Sequence, residues 1–243
     1  MQLTKLAFAT EPSPRKYRLR LARYQGLAEA LAEFVRSPVR SESQPVQLLD
    51  VGVGNGRTLR YCDTAGVGHR IAFHGVDNSP RRLGSVFGGD RWELKQADVS
   101  QGLPYADNRF DAVVCEQLLE HVPNADAVAK ELVRVLAPRG LLVVGVPIFR
   151  PAFAFVRRNI VPTIDRIFGI RRDHVQAFTL NSICKLLTRA GNVTIRDRRG
   201  FRVMSGGPLR FLEDSRTWYQ FQRMLGRNVP SFCVEAQILA TKN

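Results

Sequence analysis

The first half of the chain alternates short apolar runs with segments that have helical spacing. VQLLDV, RIAFHGVD, RWELKQADV, RFDAVVCE and GLLVVGVP are apolar enough to be buried strands. RTLRYCDTA, SPRRLGSVF and NADAVAKELVRVLA lie between them and predict helices. Because parallel strands are joined through a helix that covers one face of the sheet, this order predicts a doubly wound α/β fold.

The flanks of this pattern predict additions to the sheet. Residues 15–36 have apolar positions at helical spacing, so we expect residues 1–40 to form an N-terminal helical segment and 41–243 the main domain. Two insertions are expected, an amphipathic cap of aromatic and arginine residues at about 148–176 and a helical segment at about 205–228. Between them, TLNSICKLLTRAG predicts a helix with Thr179 as N-cap and Gly191 beyond its end, followed by strand NVTIRDR. The last strand is SFCVEAQILATK.

The net charge of +14 is distributed unevenly along the chain. Residues 1–40 carry +5, residues 41–146 carry −2 and residues 147–228 carry +11. A basic surface attracts phosphates, carboxylates, nucleic acid or anionic lipid, and the charge alone does not choose among them.

Several classes of protein are disfavoured by composition. The first residues do not have the pattern of an export signal, and eighteen consecutive apolar residues occur nowhere, so we expect a soluble cytoplasmic protein. Four cysteines without a CxxC pair, and four histidines without HxxxH spacing, predict that no metal is bound.

The glycine-rich turn in LLDVGVGNGRT is the strongest local motif. A strand delivers Asp50, and Gly52, Gly54 and Gly56 follow at alternate positions, where a ligand can approach the backbone closely. A dinucleotide motif would place its third glycine at position 57, but Arg57 stands there. The acidic residue before the turn suits a ligand that carries an ammonium group, as S-adenosylmethionine does.

From residue 46 to about 147, the sequence resembles the class I S-adenosylmethionine-dependent methyltransferases, especially the small-molecule branch with the ubiquinone and menaquinone methyltransferases. The resemblance implies a Rossmann-like sheet of seven strands in the order 3-2-1-4-5-7-6, with the last strand antiparallel. It also implies that the leading helix folds over the cofactor as a lid, and that Asp50 and the three glycines hold the methionine part of S-adenosylmethionine.

The same resemblance assigns further cofactor contacts. GVDNS supplies Asp77 at the end of the second strand, where the family binds both ribose hydroxyls, with Asn78 beside it. A carboxylate can accept two hydroxyl hydrogen bonds, which explains the residue type. QADVS supplies Asp98 and Val99 next to the adenine.

The stretch RFDAVVCEQLLEHV resembles the family's fourth strand and the residues after it, which implies that Glu116 and Gln117 lie next to the methionine part of the cofactor. One departure from the family is Arg139, which stands where glycine is usual.

Two histidines are candidate general bases for an acceptor that carries a proton. His121 follows the fourth strand, whose carboxyl end borders the expected cleft, and His174 lies between the cap and the next helix. Packing or hydrogen bonding without catalysis remains an alternative for both.

Three functions remain open at this point. A methyltransferase acting on a small-molecule substrate, such as a lipid, quinone or glycan intermediate, is favoured by the resemblance. A nucleic-acid methyltransferase is suggested by the basic flanks, although CEQL replaces the NPPY-type tetrapeptide that grips bases. A non-catalytic protein that binds S-adenosylmethionine is the third. The basic cap could cover an apolar substrate, touch a membrane surface or pack on its own domain.

Overall fold

A computed structural model describes residues 21–38, 44–150, 175–203, 212 and 215–243. The candidate base His174, most of the predicted cap and the first part of the N-terminal segment lie outside the described residues.

Seven strands form one sheet in the order β3-β2-β1-β4-β5-β7-β6. The strands are β1 (Val46–Val51), β2 (Ile71–Asp77), β3 (Trp92–Gln96), β4 (Phe110–Glu116), β5 (Leu136–Pro147), β6 (Val193–Phe201) and β7 (Glu235–Lys242). The first five pair in parallel, whereas β7 is antiparallel to both β5 and β6. The predicted fold class, strand order and antiparallel last strand are therefore confirmed.

In the described residues, six helices cover the two faces of the sheet. They are α1 (Ala22–Val35), α2 (Arg57–Thr64), α3 (Pro80–Leu83), α4 (Ala125–Val135), α5 (Leu180–Ala190) and α6 (Arg216–Asn228). Side chains cap the N-termini of several of these helices. At the start of α5, for example, the Thr179 hydroxyl accepts a hydrogen bond from the Ser182 amide at 3.0 Å. The predicted N-cap Thr179 and C-terminal Gly191 of α5 are confirmed.

Apolar side chains fill both sides of the sheet, as expected for buried parallel strands. One core contains Leu132 of α4 with Ile183 and Leu187 of α5. The other contains Leu31 of α1 and Leu59 of α2. With both faces covered, the carboxyl ends of the strands remain as the place where a ligand can enter, as in other open α/β sheets.

The junction between α4 and β5 differs from the prediction. The sequence predicts a helix over NADAVAKELVRVLA and a separate strand over GLLVVGVP, but β5 begins directly after α4, at Leu136. The pairing with β4 then shifts, and Arg139 has a φ of 61° within the irregular stretch. Glycine adopts this left-handed conformation without strain, whereas arginine has a steric cost there.

A second difference is the length of α3, which covers one turn instead of all of SPRRLGSVF. In the part of the chain that the structure describes, no helix is long and apolar enough to cross a membrane.

Candidate functional site

A cleft of about 420 Å³ opens at the carboxyl ends of the strands on the β3 side of the sheet. Six of the residues predicted from the sequence line it together: Gly52, Asp77, Asn78, Asp98, Val99 and His121. They come from segments that follow β1, β2, β3 and β4, and the sheet brings them to one edge because those strands run in parallel.

The glycine turn after β1 depends on backbone conformations that other residues disfavour. Gly52, Gly54 and Gly56 have φ values of 77°, 55° and 74°. A Cβ atom on Gly56 would lie 2.7 Å from Val86 Cγ1, so this glycine permits close packing. A Cβ atom on Gly54 would have no neighbour closer than 3.8 Å, which leaves the tip of the turn open to a ligand.

Asp77 is held in place by backbone amides at the end of β2. Its two carboxylate oxygens accept hydrogen bonds from the Gly54 amide at 3.3 Å and the Ser79 amide at 2.9 Å. The Arg82 guanidinium lies 3.7 Å from Oδ2. Because each carboxylate oxygen can accept more than one hydrogen bond, Asp77 can still bind two ligand hydroxyls from this fixed position.

The other two predicted acids have different surroundings. Asp98 is exposed and accepts a hydrogen bond from the Ser100 amide at 2.9 Å, which starts a short turn at the cleft wall. Asp50 is buried beneath the glycine turn and accepts a hydrogen bond from the Thr58 hydroxyl at 2.6 Å. Burial raises the pKa of Asp50 to about 6, although the Thr58 hydroxyl favours the charged form.

Gln117 has a backbone and a side chain that suggest a functional position. Its φ is 54°, which is rare for a residue other than glycine. Its side-chain amide nitrogen is buried, with no hydrogen-bond partner in the described structure. The adjacent Leu118 packs 3.5 Å from the position of a Cβ atom on Gly52. A buried donor next to the glycine turn is free to bind an anionic group there.

His121 lies at the wall of the cleft, next to an acidic residue. Its side chain is 38% exposed, and its Nε2 atom lies 3.9 Å from Oε1 of Glu120. Glu120 is buried, and this burial raises the pKa of its carboxyl group. The imidazole of His121 is therefore accessible to a molecule in the cleft, and the acidic side chain of Glu120 lies next to it.

A second polar cluster lies at the same edge of the sheet, between α1 and the ends of β4, β6 and β7. We call it the Arg–Glu cluster, and its five members are Arg23, Glu116, Arg202, Glu235 and Gln237. Arg23 lies 3.4 Å from Glu116 and 3.5 Å from Glu235, and Arg202 contacts Glu235 at 2.8 Å. Gln237 donates to Glu116 at 2.6 Å and to the Arg23 carbonyl at 2.8 Å.

Burial dominates the electrostatics of this cluster. The charged side chains that form its ion pairs are between 6% and 14% exposed. Burial raises the pKa of Glu116 to about 8, although Arg23 and Gln237 both favour its charged form. Glu116 is not among the residues that line the cleft, so its contact with the cofactor stays a prediction.

Sequence reasoning missed part of the cleft. Arg82, Ala97, Ser100, Gln101, Leu118, Val122 and Pro123 also line it. Each lies within a few positions of a predicted residue, so proximity to the motifs was the signal available. Among the described residues, no group of three or more His, Cys, Asp or Glu residues is arranged to hold a metal ion.

Comparison with known proteins places this cleft in a family. The family model described as a methyltransferase domain matches residues 49–144, which contain the glycine turn, Asp77, Asp98 and His121. A sterol 4-C-methyltransferase from Caenorhabditis elegans is 32% identical over 109 residues, covering 42% of this chain and 31% of that protein. A demethylmenaquinone methyltransferase from Tropheryma whipplei is 35% identical over 104 residues, covering 40% of each chain.

The chain thus matches between about three tenths and two fifths of the length of these relatives. Among solved structures, an S-adenosylmethionine-dependent methyltransferase from Mesorhizobium loti is similar over 90% of this chain and 100% of its own, with 16% identity and a TM-score of 0.57. That likeness concerns the fold. Taken with the sequence match over the motif-bearing strands, it supports a class I S-adenosylmethionine-dependent methyltransferase domain that includes residues 49–144.

Proposed function

We propose that the protein transfers a methyl group from S-adenosylmethionine to a small-molecule acceptor. The observation that supports this most strongly is the convergence of Gly52, Asp77, Asp98 and His121 on one cleft. The cofactor, when bound, supplies an electrophilic methyl group on a sulfonium. The chain contributes binding, alignment and the exclusion of water, which are the main services that such a displacement needs.

The residues of the cleft fit the chemical groups of this cofactor. Asp77 has the acceptor capacity for two ribose hydroxyls, and Asp98 with Val99 offers a polar and an apolar neighbour for the adenine. The buried amide of Gln117 could donate to the carboxylate of the methionine part. Asp50, beneath the turn, supplies negative charge for its ammonium group.

On the acceptor side, His121 is the residue that we assign to proton removal. It lines the cleft next to Leu118 and Val122, so a nucleophile seated there would be close to the imidazole. If the acceptor carries a hydroxyl or an amine, a neutral His121 takes the proton as the new bond forms. A carbon nucleophile that is already activated would not need this step.

The class of acceptor is also a proposal. The two relatives named above are, by their printed names, enzymes of sterols and demethylmenaquinone, which are both largely apolar molecules. We therefore propose an apolar small-molecule acceptor. No described feature of the cleft favours a nucleic acid over such a molecule.

Methyl transfer can be tested with S-adenosylmethionine that carries a labelled methyl group. The purified full chain would be incubated with quinol, sterol, phenol and amine acceptors, and the label followed into the organic phase. We expect transfer to at least one apolar class and at least a tenfold loss of rate in Asp77→Ala at subsaturating cofactor. Tight cofactor binding without transfer to any acceptor class would contradict the proposed reaction and would favour a non-catalytic binding protein.

A further inference from the structure

The exposed apolar side chains of the described structure are concentrated in one stretch of sequence. Seven large apolar side chains are exposed, and five of them lie between residues 221 and 234: Phe221, Met224, Val229, Phe232 and Val234. We call these five the apolar surface. Scattered single exposures are normal in proteins, but a concentration of this kind usually marks a site of interaction.

Part of the apolar surface lies at the carboxyl ends of the parallel strands, beside β5 and β6. The amide of Val234 donates to the Arg202 carbonyl just after β6, and the Val234 carbonyl accepts from the amide of Ile148 just after β5. Phe232 ends the short turn that precedes this point. Nearer to the cleft, the backbone amide of Val175 donates a hydrogen bond to the carbonyl of Glu120, which precedes His121. The side chain of Val175 is exposed.

Helix α6 extends the apolar surface away from this edge. Tyr219, Gln222 and Gly226 face the domain and are buried. Phe221 and Met224, three positions apart, share another side of the helix and are 38% and 53% exposed. The helix therefore presents apolar side chains to solvent in addition to those it buries.

Arginines lie next to part of the apolar surface. On α6, Arg216 is exposed. The guanidinium of Arg150 lies 4.6 Å from the centre of the Phe232 ring, and the Arg227 side chain on α6 is 63% exposed. On an anionic bilayer, apolar side chains enter the boundary of the acyl chains and arginines bind the anionic headgroups, so a surface with both kinds of side chain fits a bilayer.

We propose that the apolar surface docks on an anionic lipid bilayer, and that this bilayer is the source of the apolar acceptor. The valines and the methionine favour lipid over nucleic acid, because they lack the flat rings on which bases stack. The docking itself is independent of catalysis. The source of the acceptor rests on the function proposed above.

Sedimentation with lipid vesicles tests this directly. The full chain would be mixed with vesicles of phosphatidylcholine alone or with one quarter phosphatidylglycerol. We expect binding to the anionic vesicles that weakens with added salt, and at least a tenfold loss of partitioning in the double variant Met224→Ser/Phe232→Ser. Phe87→Ser is the matched control, because Phe87 is 46% exposed elsewhere in the chain and should bind as the wild type does.

The other outcomes each overturn the proposal. These are failure to bind anionic vesicles, equal binding to neutral ones, or an equal loss in the control variant. Binding of single-stranded RNA that the double variant weakens, without vesicle binding, would assign the apolar surface to nucleic acid. Self-association that the double variant abolishes, again without vesicle binding, would assign it to a second copy of the chain. Calorimetric titration of the double variant with S-adenosylmethionine is the control for folding and for the cofactor site. Unchanged binding would show that a loss of vesicle binding comes neither from unfolding nor from failure of the proposed function.

Discussion

The cleft and the Arg–Glu cluster lie at the same edge of one sheet, yet they are built in opposite ways. In the cleft, Asp77 and Asp98 accept hydrogen bonds from backbone amides, and the nearest donors, at Ser79 and Ser100, are two residues away. In the cluster, charged side chains contact one another, and Gln237 reaches the carbonyl of Arg23 from 214 positions away in sequence. The cleft holds a volume of about 420 Å³ that a ligand can enter, whereas the charged side chains of the cluster contact one another and are 6–14% exposed.

This difference suggests different roles. Carboxylates that line a cleft are available to a ligand. Charges in a closed cluster fix the positions of α1, β4, β6 and β7, because removing one partner leaves another buried without compensation. We expect substitutions in the cluster to affect folding and substitutions in the cleft to affect binding.

The largest expected effect of a substitution at constant pH is from Arg23→Met. It leaves the buried carboxylate of Glu235 with one guanidinium partner fewer, and we expect it to lower the free energy of unfolding by about 3 kcal/mol. Chemical denaturation measures this. The matched control is Arg91→Met, since the Arg91 pair with Asp63 is more than one-third exposed and should contribute less than about 1 kcal/mol. Equal losses in the free energy of unfolding would show that the burial of an ion pair does not determine its contribution to stability.

The next effect concerns pH and the carboxyl group of Glu116. Its pKa is about 8 in the folded protein and near 4.5 when exposed, so the folded state holds a proton over this range that the unfolded state releases. The free energy of unfolding should fall as pH rises from about 5 to 8, by up to about 1.4 kcal/mol per unit from this group. Glu116→Gln cannot titrate, so its stability relative to the wild type should increase with pH. A relative stability that is constant or decreases would show that Arg23 keeps Glu116 charged.

On the side of the cleft, Asp77→Ala should weaken binding of S-adenosylmethionine by about 1–3 kcal/mol through lost hydrogen bonds from the ribose. Calorimetric titration measures it, with Asp90→Ala, an exposed acid outside the cleft, as control. If affinity did not change while denaturation showed a large loss of stability, Asp77 would act as a structural residue like those of the cluster.

The smallest expected effect lies outside both regions, at Arg139. Its φ of 61° is strained for arginine, and Arg139→Gly should raise the free energy of unfolding by about 0.5–1 kcal/mol. A thermal denaturation series would detect it. A lower free energy of unfolding in Arg139→Gly would mean that contacts of the arginine side chain stabilise the fold by more than its positive φ destabilises it.

The contrast between the two regions also explains what the sequence could predict. The turn glycines, Asp77 and Asp98 were predictable because each lies at a strand end marked by local pattern, and the order of the strands followed from the family resemblance. The pairing of Arg23 with Glu116 and Glu235 was not predictable, because tertiary packing alone brings residues so distant in sequence together. The same limit applies to the side chain of Glu116. The family resemblance placed it next to the cofactor, but its carboxylate contacts Arg23 and Gln237.

The central claim is that the cleft binds S-adenosylmethionine, and calorimetric titration of the purified chain with S-adenosylmethionine and, separately, NADH tests it most directly. The structure predicts binding of S-adenosylmethionine with one site per chain and no binding of NADH, since Arg57 replaces the third glycine of a dinucleotide motif. Binding of NADH in place of S-adenosylmethionine, or of neither, would contradict the assignment of the cleft.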